Sequence, residues 1–208
     1  MTLHHRIVVL VLSALLPFAA TAQSSAAAAS SARARIVADS QKGTPFQVGR
    51  QTYQVVVGLR AVARGDASAD ARLATLGIPA GDLVEARGPL VFFRQAPAGS
   101  TAPARLAAAA ALAPVGGVST FPVVVNTVSG QLGALSGTLT VKLAKVGDAG
   151  ALARDHGLAL DYVAEGIGWA FLRVPDGGDV MAAAAAVARD PRAKIVEPEV
   201  RAHFAVPR

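Results

Sequence analysis

Asp190-Pro191-Arg192-Ala193-Lys194-Ile195-Val196-Glu197-Pro198-Glu199-Val200 is the stretch from which the rest of this chain can be read. Asp190-Pro191 ends an alanine-rich helix, because proline lacks an amide proton and biases the residue before it away from helical geometry. A strand follows. Pro198 removes a ladder donor, so that strand is expected at a sheet edge or leaving the sheet there. Beyond it, Arg201-Ala202-His203-Phe204-Ala205-Val206-Pro207-Arg208 reads as a free, extended tail. Glu197 and Glu199 are two residues apart and project from one face of the strand. Carboxylates so placed can cap the N-termini of partner helices, whose unpaired amides and dipole favour negative charge. The alternative is a pair of solvated charges that discourages edge-to-edge aggregation.

Working outward, Leu139, Val141 and Leu143 alternate with Thr138, Thr140 and Lys142, which predicts a strand. Asp148 is expected to cap a helix to His156, with Gly157 at its C-terminal end. Leu158 to Ala164 and Trp169 to Val174 read as strands around Glu165-Gly166-Ile167-Gly168, and Asp179 is placed to cap the helix Val180 to Arg189. The order β-α-β-β-α-β is the ferredoxin-like split unit, in an α+β fold. Its helices cover one face of the sheet and leave the other available. Trp169, Phe171 and Arg173 share one side of their strand. They form either an outward partner patch or, with Ala170, Leu172 and Val174 facing out, part of the core; period alone leaves both open.

These segments, with Gly137-Thr138-Leu139-Thr140-Val141-Lys142-Leu143, Asp155-His156-Gly157-Leu158, Gly168 to Pro175, Val196-Glu197-Pro198-Glu199 and Ala202-His203, resemble the prodomain of subtilisin-like serine proteases over about residues 137 to 205. With no protease following and an additional N-terminal domain, the chain is more similar to the ASP external chaperone family. Those are separate polypeptides that help a secreted kexin-like protease fold and hold it inactive. The resemblance implies a subtilisin-like (S8-type) serine protease partner, bound as a 1:1 heterodimer by an otherwise monomeric chain. It implies docking through the acidic residues Glu197 and Glu199, beside the candidate patch of Trp169, Phe171 and Arg173, and a cleft occupied by His203, Phe204, Ala205, Val206, Pro207 and Arg208. The prodomain register puts Ala205 at the scissile position, whereas a kexin-like pocket prefers a basic residue. Arg208, with a product-like free carboxylate, is the favoured pocket residue.

Residues 1–22 have the three parts of a secretory signal: Arg6, the apolar run Ile7 to Ala20, and Ala20-Thr21-Ala22 before Gln23. The run is too short to span a bilayer, so a periplasmic or secreted chain without membrane attachment is expected. Removing 22 of the 208 residues leaves 186, enough for two small domains. Residues 23–44, beginning Ser- and Ala-rich, are expected as a disordered leader. Residues 45–96 read as a small α+β domain: a strand through Tyr53, Val55, Val57 and Leu59, a helix capped by Ser68 and stopped at Gly77, and a hairpin around Arg87-Gly88-Pro89. Residues 97–119, with Pro97, Pro103, Pro114 and Gly116-Gly117, read as a linker, or with Leu106 to Leu112 as a packed helix. Residues 120–208 form the prodomain-like unit, opening with strands Phe121 to Thr127 and Gln131 to Leu135.

Composition narrows the function further. Cys is absent, so an exported chain must rely on packed cores or a partner. The net charge is +6, or +5 without Arg6, but residues 137–208 hold nine basic and nine acidic residues. The excess is scattered without interleaved aromatics, which argues against a nucleic-acid reader. Only His156 and His203 remain after residue 22, no Gly-x-Ser-x-Gly elbow occurs, and no clustered metal-ligating residues or phosphate loop is present. No catalytic residue, metal or cofactor is therefore expected. The function that follows is an exported protease-specific chaperone and inhibitor. The alternative from a different class is a structural or adaptor protein of the cell envelope.

Overall fold

The computed structural model describes residues 31 and 33–202; the signal expected at 1–22, residues 23–30 and 32 of the leader and the tail residues 203–208 lie outside the described residues. The strands are β1 (Phe46–Val48), β2 (Gln51–Ala63), β3 (Leu83–Arg87), β4 (Leu90–Arg94), β5 (Ala113–Val115), β6 (Val118–Asn126), β7 (Leu132–Leu143), β8 (Ala159–Ala164), β9 (Trp169–Arg173) and β10 (Ala193–Arg201). The helices are α1 (residues 33–39), α2 (Ala69–Thr75), α3 (Ala102–Ala110), α4 (Ala149–Asp155) and α5 (Val180–Ala188).

Local chemistry sets the helix starts. The Ser68 side chain accepts from the Ala71 amide, Thr101 from Ala104, and Asp179 from both Met181 and Ala182; such caps are typically worth about 1 kcal/mol each. Asp148 departs from expectation. It ends a 3-10 turn, Val146–Asp148, and its side chain makes no capping bond. Gly157, at φ +65, closes α4 in the left-handed conformation that only glycine adopts freely.

The strands form one mixed α/β architecture built on a ten-stranded antiparallel sheet, ordered β3-β4-β2-β6-β7-β9-β8, with β1 on β2, β5 on β6 and β10 on β7. β7 is the hinge of this arrangement. Its first residues pair with β6 (Val123 with Ala134) and its later ones with β9 (Thr138 with Arg173), while β10 runs along its other edge. Segments read from the sequence as two strands are thus one. Ser136-Gly137 does not break the strand but forms a bulge, where pairing with β10 jumps from Leu139–Pro198 to Leu135–Val200. That slack also corrects the expectation that the last strand could leave the sheet at Pro198. β10 continues to Arg201 as an edge strand, which tolerates proline.

One further stretch differs from its reading, and another takes one of its two expected forms. Part of the expected leader is helical: in α1, Ile36 and Val37 pack over Val56, Leu59, Phe92, Val125 and Leu132. Of the two readings of residues 97–119, the packed helix holds: the stretch contains α3 and β5, and Ala109, Ala110 and Leu112 enter the core cluster beside Tyr53, Val55, Leu135 and Leu139. An alanine-rich segment can do this because its small side chains let the helix approach the sheet closely. The sheet itself is continuous from β2 to β6, which pair antiparallel from Tyr53–Asn126 to Ala61–Phe121.

Helices α4 and α5 lie on one side of the C-terminal strands. Leu152, Ala153, Val180, Ala184 and Val187 pack on Leu139, Val141, Leu143, Ala170, Leu172 and Val174. Among the described residues, no helix packs on the opposite side of β7, β9 and β8. On the N-terminal half, the same side of the sheet, to which Leu132 and Ala134 point, is covered by α1.

Candidate functional site: the bare sheet face

Period-2 alternation, once the helices choose a side, dictates what the bare face presents. Ala170 and Leu172 are fully buried under the helices, so Trp169, Phe171 and Arg173 point away from them. Register then aligns rows across the strands. Glu197 of β10 lies opposite Thr140, Thr140 opposite Phe171, and Phe171 opposite Tyr162. The neighbouring row is Ile195, Lys142, Trp169 and Ala164.

The result is an apolar centre with a charged rim. Tyr162 is 63% exposed and Ile195 48%, with Trp169 and Phe171 half-buried beside them. The Tyr162 and Phe171 rings sit 5.9 Å apart, tilted by 34°, a separation typical of favourable aromatic pairs. The Lys142 ammonium lies 5.7 Å from the centre of the Trp169 ring and donates to the Ile167 carbonyl. Arg173 pairs with Asp161 at 2.8 Å. An aromatic centre within a polar border is the anatomy of a protein-binding surface.

The edge strand is held differently from the sequence reading. The Glu197 carboxylate accepts from the Gly49 amide in the β1–β2 turn at 3.0 Å. Glu199 accepts from the Ser136 hydroxyl in the β7 bulge and lies 3.9 Å from Arg201. Both acids thus have donors within this chain, and each ties β10 to a different element. Beyond Arg201, Ala202 is 6% exposed and rests on Gly133: a Cβ there would lie 3.1 Å from the Ala202 Cβ and 2.9 Å from Val200 Cγ1. The chain is therefore aimed along β7 at its last described residue. His203, Phe204, Ala205, Val206, Pro207 and Arg208 lie outside the described residues.

Tyr162, Lys142 and Ile195 join the face although the sequence reading did not single them out, since cross-strand register brings them there. Gly133 and Gly49 carried no sequence signal beyond being glycine. His156 is not a free surface residue. Its Nε2 lies 3.0 Å from Asp190, which also binds the Arg192 guanidinium and amide, and Arg192 reaches Asp155 at 2.8 Å. This clasp joins the end of α4 to the α5–β10 turn. The Arg192 side-chain hydrogen bond, followed by its amide and the His156 bond, holds the Asp190 carboxyl well below the usual carboxylate range.

Among the described residues no group of three or more His, Cys, Asp or Glu side chains could hold a metal ion, and no helix is long and apolar enough to cross a membrane.

The family described as the Open reading frame 2 N-terminal domain matches residues 38–203 of the chain. Among solved structures, a chain of the Aeromonas sobria serine protease (ASP) and chaperone (ORF2) complex is similar. The two are 26% identical, with 46% of this chain and 97% of that one covered, at a TM-score of 0.36. No curated protein matches the chain.

Proposed function

The chain belongs to the Open reading frame 2 N-terminal domain family, and we propose that it is an exported, non-catalytic chaperone and inhibitor of a subtilisin-like serine protease. One observation carries this reading: a sheet face with none of the described helices over it presents Trp169, Phe171 and Tyr162 at its centre. The order β10-β7-β9-β8, with two helices on one side, supports the ferredoxin-like split unit expected from the sequence.

In this mechanism the bare face docks on the folding protease and buries its aromatics. An interface of the usual protease–inhibitor size, roughly 1,600 Å², orders the partner surface that forms last in folding. Preference for the native over the unfolded protease is what turns binding into folding assistance. Gly133 and the Ser136–Glu199 bond point the end of β10, and residues 203–208 continue into the substrate cleft as an added strand, with Arg208 in the first specificity pocket. Glu197 and Glu199, already holding one donor each, retain acceptor capacity for partner amides.

Co-expression with the candidate protease tests the reading. The chain should raise the yield of active protease, and the double variant Trp169→Ala, Phe171→Ala should abolish that gain while its own thermal midpoint stays near the parent's. An unchanged yield with the double variant overturns face docking. Removing Pro207 and Arg208 should weaken inhibition by about two to four orders of magnitude, as expected for a desolvated charge in a pocket. Inhibition that persists until Phe204 and Ala205 are also removed assigns the pocket to Ala205.

A further inference from the structure

Where α3 meets the loop before α5, a pocket of about 250 Å³ opens between β2, the 95–98 segment and the chain from Ala111 to Pro114. Its walls are mostly Ala, Leu, Val and Pro. Two arginines, Arg60 and Arg105, line it, and no Asp or Glu does.

Arg60 is 4% exposed. Its Nε donates to Thr120 Oγ1 at 3.0 Å, Nη1 to the carbonyls of Ala109 and Ala111 at 3.3 and 2.8 Å, and Nη2 to the Thr120 carbonyl at 2.9 Å. All four acceptors are neutral, and among the described residues no carboxylate pairs with this guanidinium. The Ala109 and Ala111 carbonyls lie at the C-terminal end of α3, whose dipole offsets part of the charge. Burial still pushes the Arg60 pKa down to about 10, which leaves it a cation at neutral pH. A guanidinium has five donor protons, so one Nη2 proton is spare. Arg105 likewise meets neutral acceptors, Gln41 Oε1 at 3.4 Å and the Ser100 carbonyl at 3.3 Å.

A buried cation without a counter-ion is costly, and here it lines a pocket that a second cation also lines. We propose that this pocket binds a small organic carboxylate with a short apolar body, its anion held by Arg60 and Arg105. At roughly 30 Å³ for each water-sized group, the volume of about 250 Å³ admits about eight, as many as the non-hydrogen atoms of hexanoate. An inorganic anion would leave the Pro97, Ala108 and Leu112 walls uncovered. A carboxylate with an apolar body satisfies both walls and charges. The carboxylate could belong to a free short-chain acid or to the C-terminus of a peptide, and the pocket chemistry is the same for both. The site lies apart from the bare face, so this assignment stands or falls independently of the protease reading.

Titration calorimetry on the full chain at constant ionic strength tests it, with hexanoate and N-acetylalanine as probes and hexanol and N-acetylalaninamide as neutral controls. At least one acid should bind saturably while its neutral control does not; hexanoate alone assigns a free acid, N-acetylalanine alone a peptide terminus, and both the shared chemistry. Arg105→Gln should weaken binding about tenfold or more, and Ala108→Leu, which fills the pocket, should abolish it. Both variants leave the Arg60 bonds in place. The proposal is overturned if neither acid binds saturably, if acids and neutral controls bind alike, or if both variants bind as the parent does.

Discussion

Asp190 does two jobs with one carboxylate: it ends α5, and it gathers His156, the Arg192 amide and the Arg192 guanidinium at the α4–β10 corner. Because its folded-state pKa lies below that of a free aspartate, the stability it contributes is fully present above about pH 4, the unfolded value, and is lost as pH falls below it. Asp190→Asn should therefore lower the thermal midpoint at pH 7, and the gap between variant and parent should narrow in melts taken progressively below pH 4. A gap independent of pH would mean the clasp works through shape and not charge. Gly133 is the other residue with a role out of proportion to its size. Gly133→Val must displace Val200 and Ala202, at an overpacking cost of about 1–3 kcal/mol. Inhibition of the protease should fall further than the lost stability explains, measured at a temperature where the variant is fully folded. Equal inhibition by parent and variant would show that the aim of β10 is immaterial.

Among the elements, α3 and the turn after it decide how the two halves of the sheet are joined. Leu112 is 6% exposed, exchanges hydrogen bonds with Gly177 and Gly178, and packs so close to Gly137 that a Cβ there would lie 2.6 Å from Leu112 Cδ1. Gly137 also sits at φ +86 in the β7 bulge, so two constraints demand glycine at that one position. Leu112→Ala should cost about 2–5 kcal/mol by chemical denaturation, the range for emptying a core leucine site; a cost under about 1 kcal/mol would show that the joint collapses around the loss. Strand β9 illustrates the complementary case, in which one element serves two masters: Ala170 and Leu172 hold the helices, while on the opposite side Trp169 lies under the Lys142 ammonium and Phe171 beside the Tyr162 ring. Removing the two aromatics should consequently affect partner binding far more than stability.

At the scale of the whole molecule, the sheet makes the two halves one packing problem. β6 is hydrogen-bonded to β2 on one side and β7 on the other, and Tyr53, Val55 and Val57 share a core cluster with Leu139, Leu172 and Val187. A fragment of residues 120–208 would expose the edge of β6 and lose α3 from that cluster. The full described chain should unfold in a single cooperative transition, and the isolated fragment should show no cooperative melt unless the protease is added. A stable, cooperatively melting fragment would instead support the division at 97–119 as a domain boundary.

The sequence by itself determined the local events: Ser68 and Asp179 as caps, the hairpin at Arg87-Gly88-Pro89, the helix end at Asp190-Pro191, and which residues of β7 and β9 share a side. These depend on neighbours within a few positions, where hydrogen-bond reach and strand period leave little choice. It could not say which side faced inward, because alternation is symmetric; the packing of α4 and α5 on Ala170 and Leu172 broke that symmetry and left Trp169 and Phe171 bare. Nor could it join Tyr162, Lys142 and Ile195 to them, since cross-strand register is a long-range property. The Ala-rich stretch at 102–110 read equally as a linker or a packed helix because alanine has no strong preference between a solvated and a buried helix. Only the close approach of α3 to Tyr53, Val55 and Leu135, with Arg60 anchoring its last carbonyls, made it part of the core.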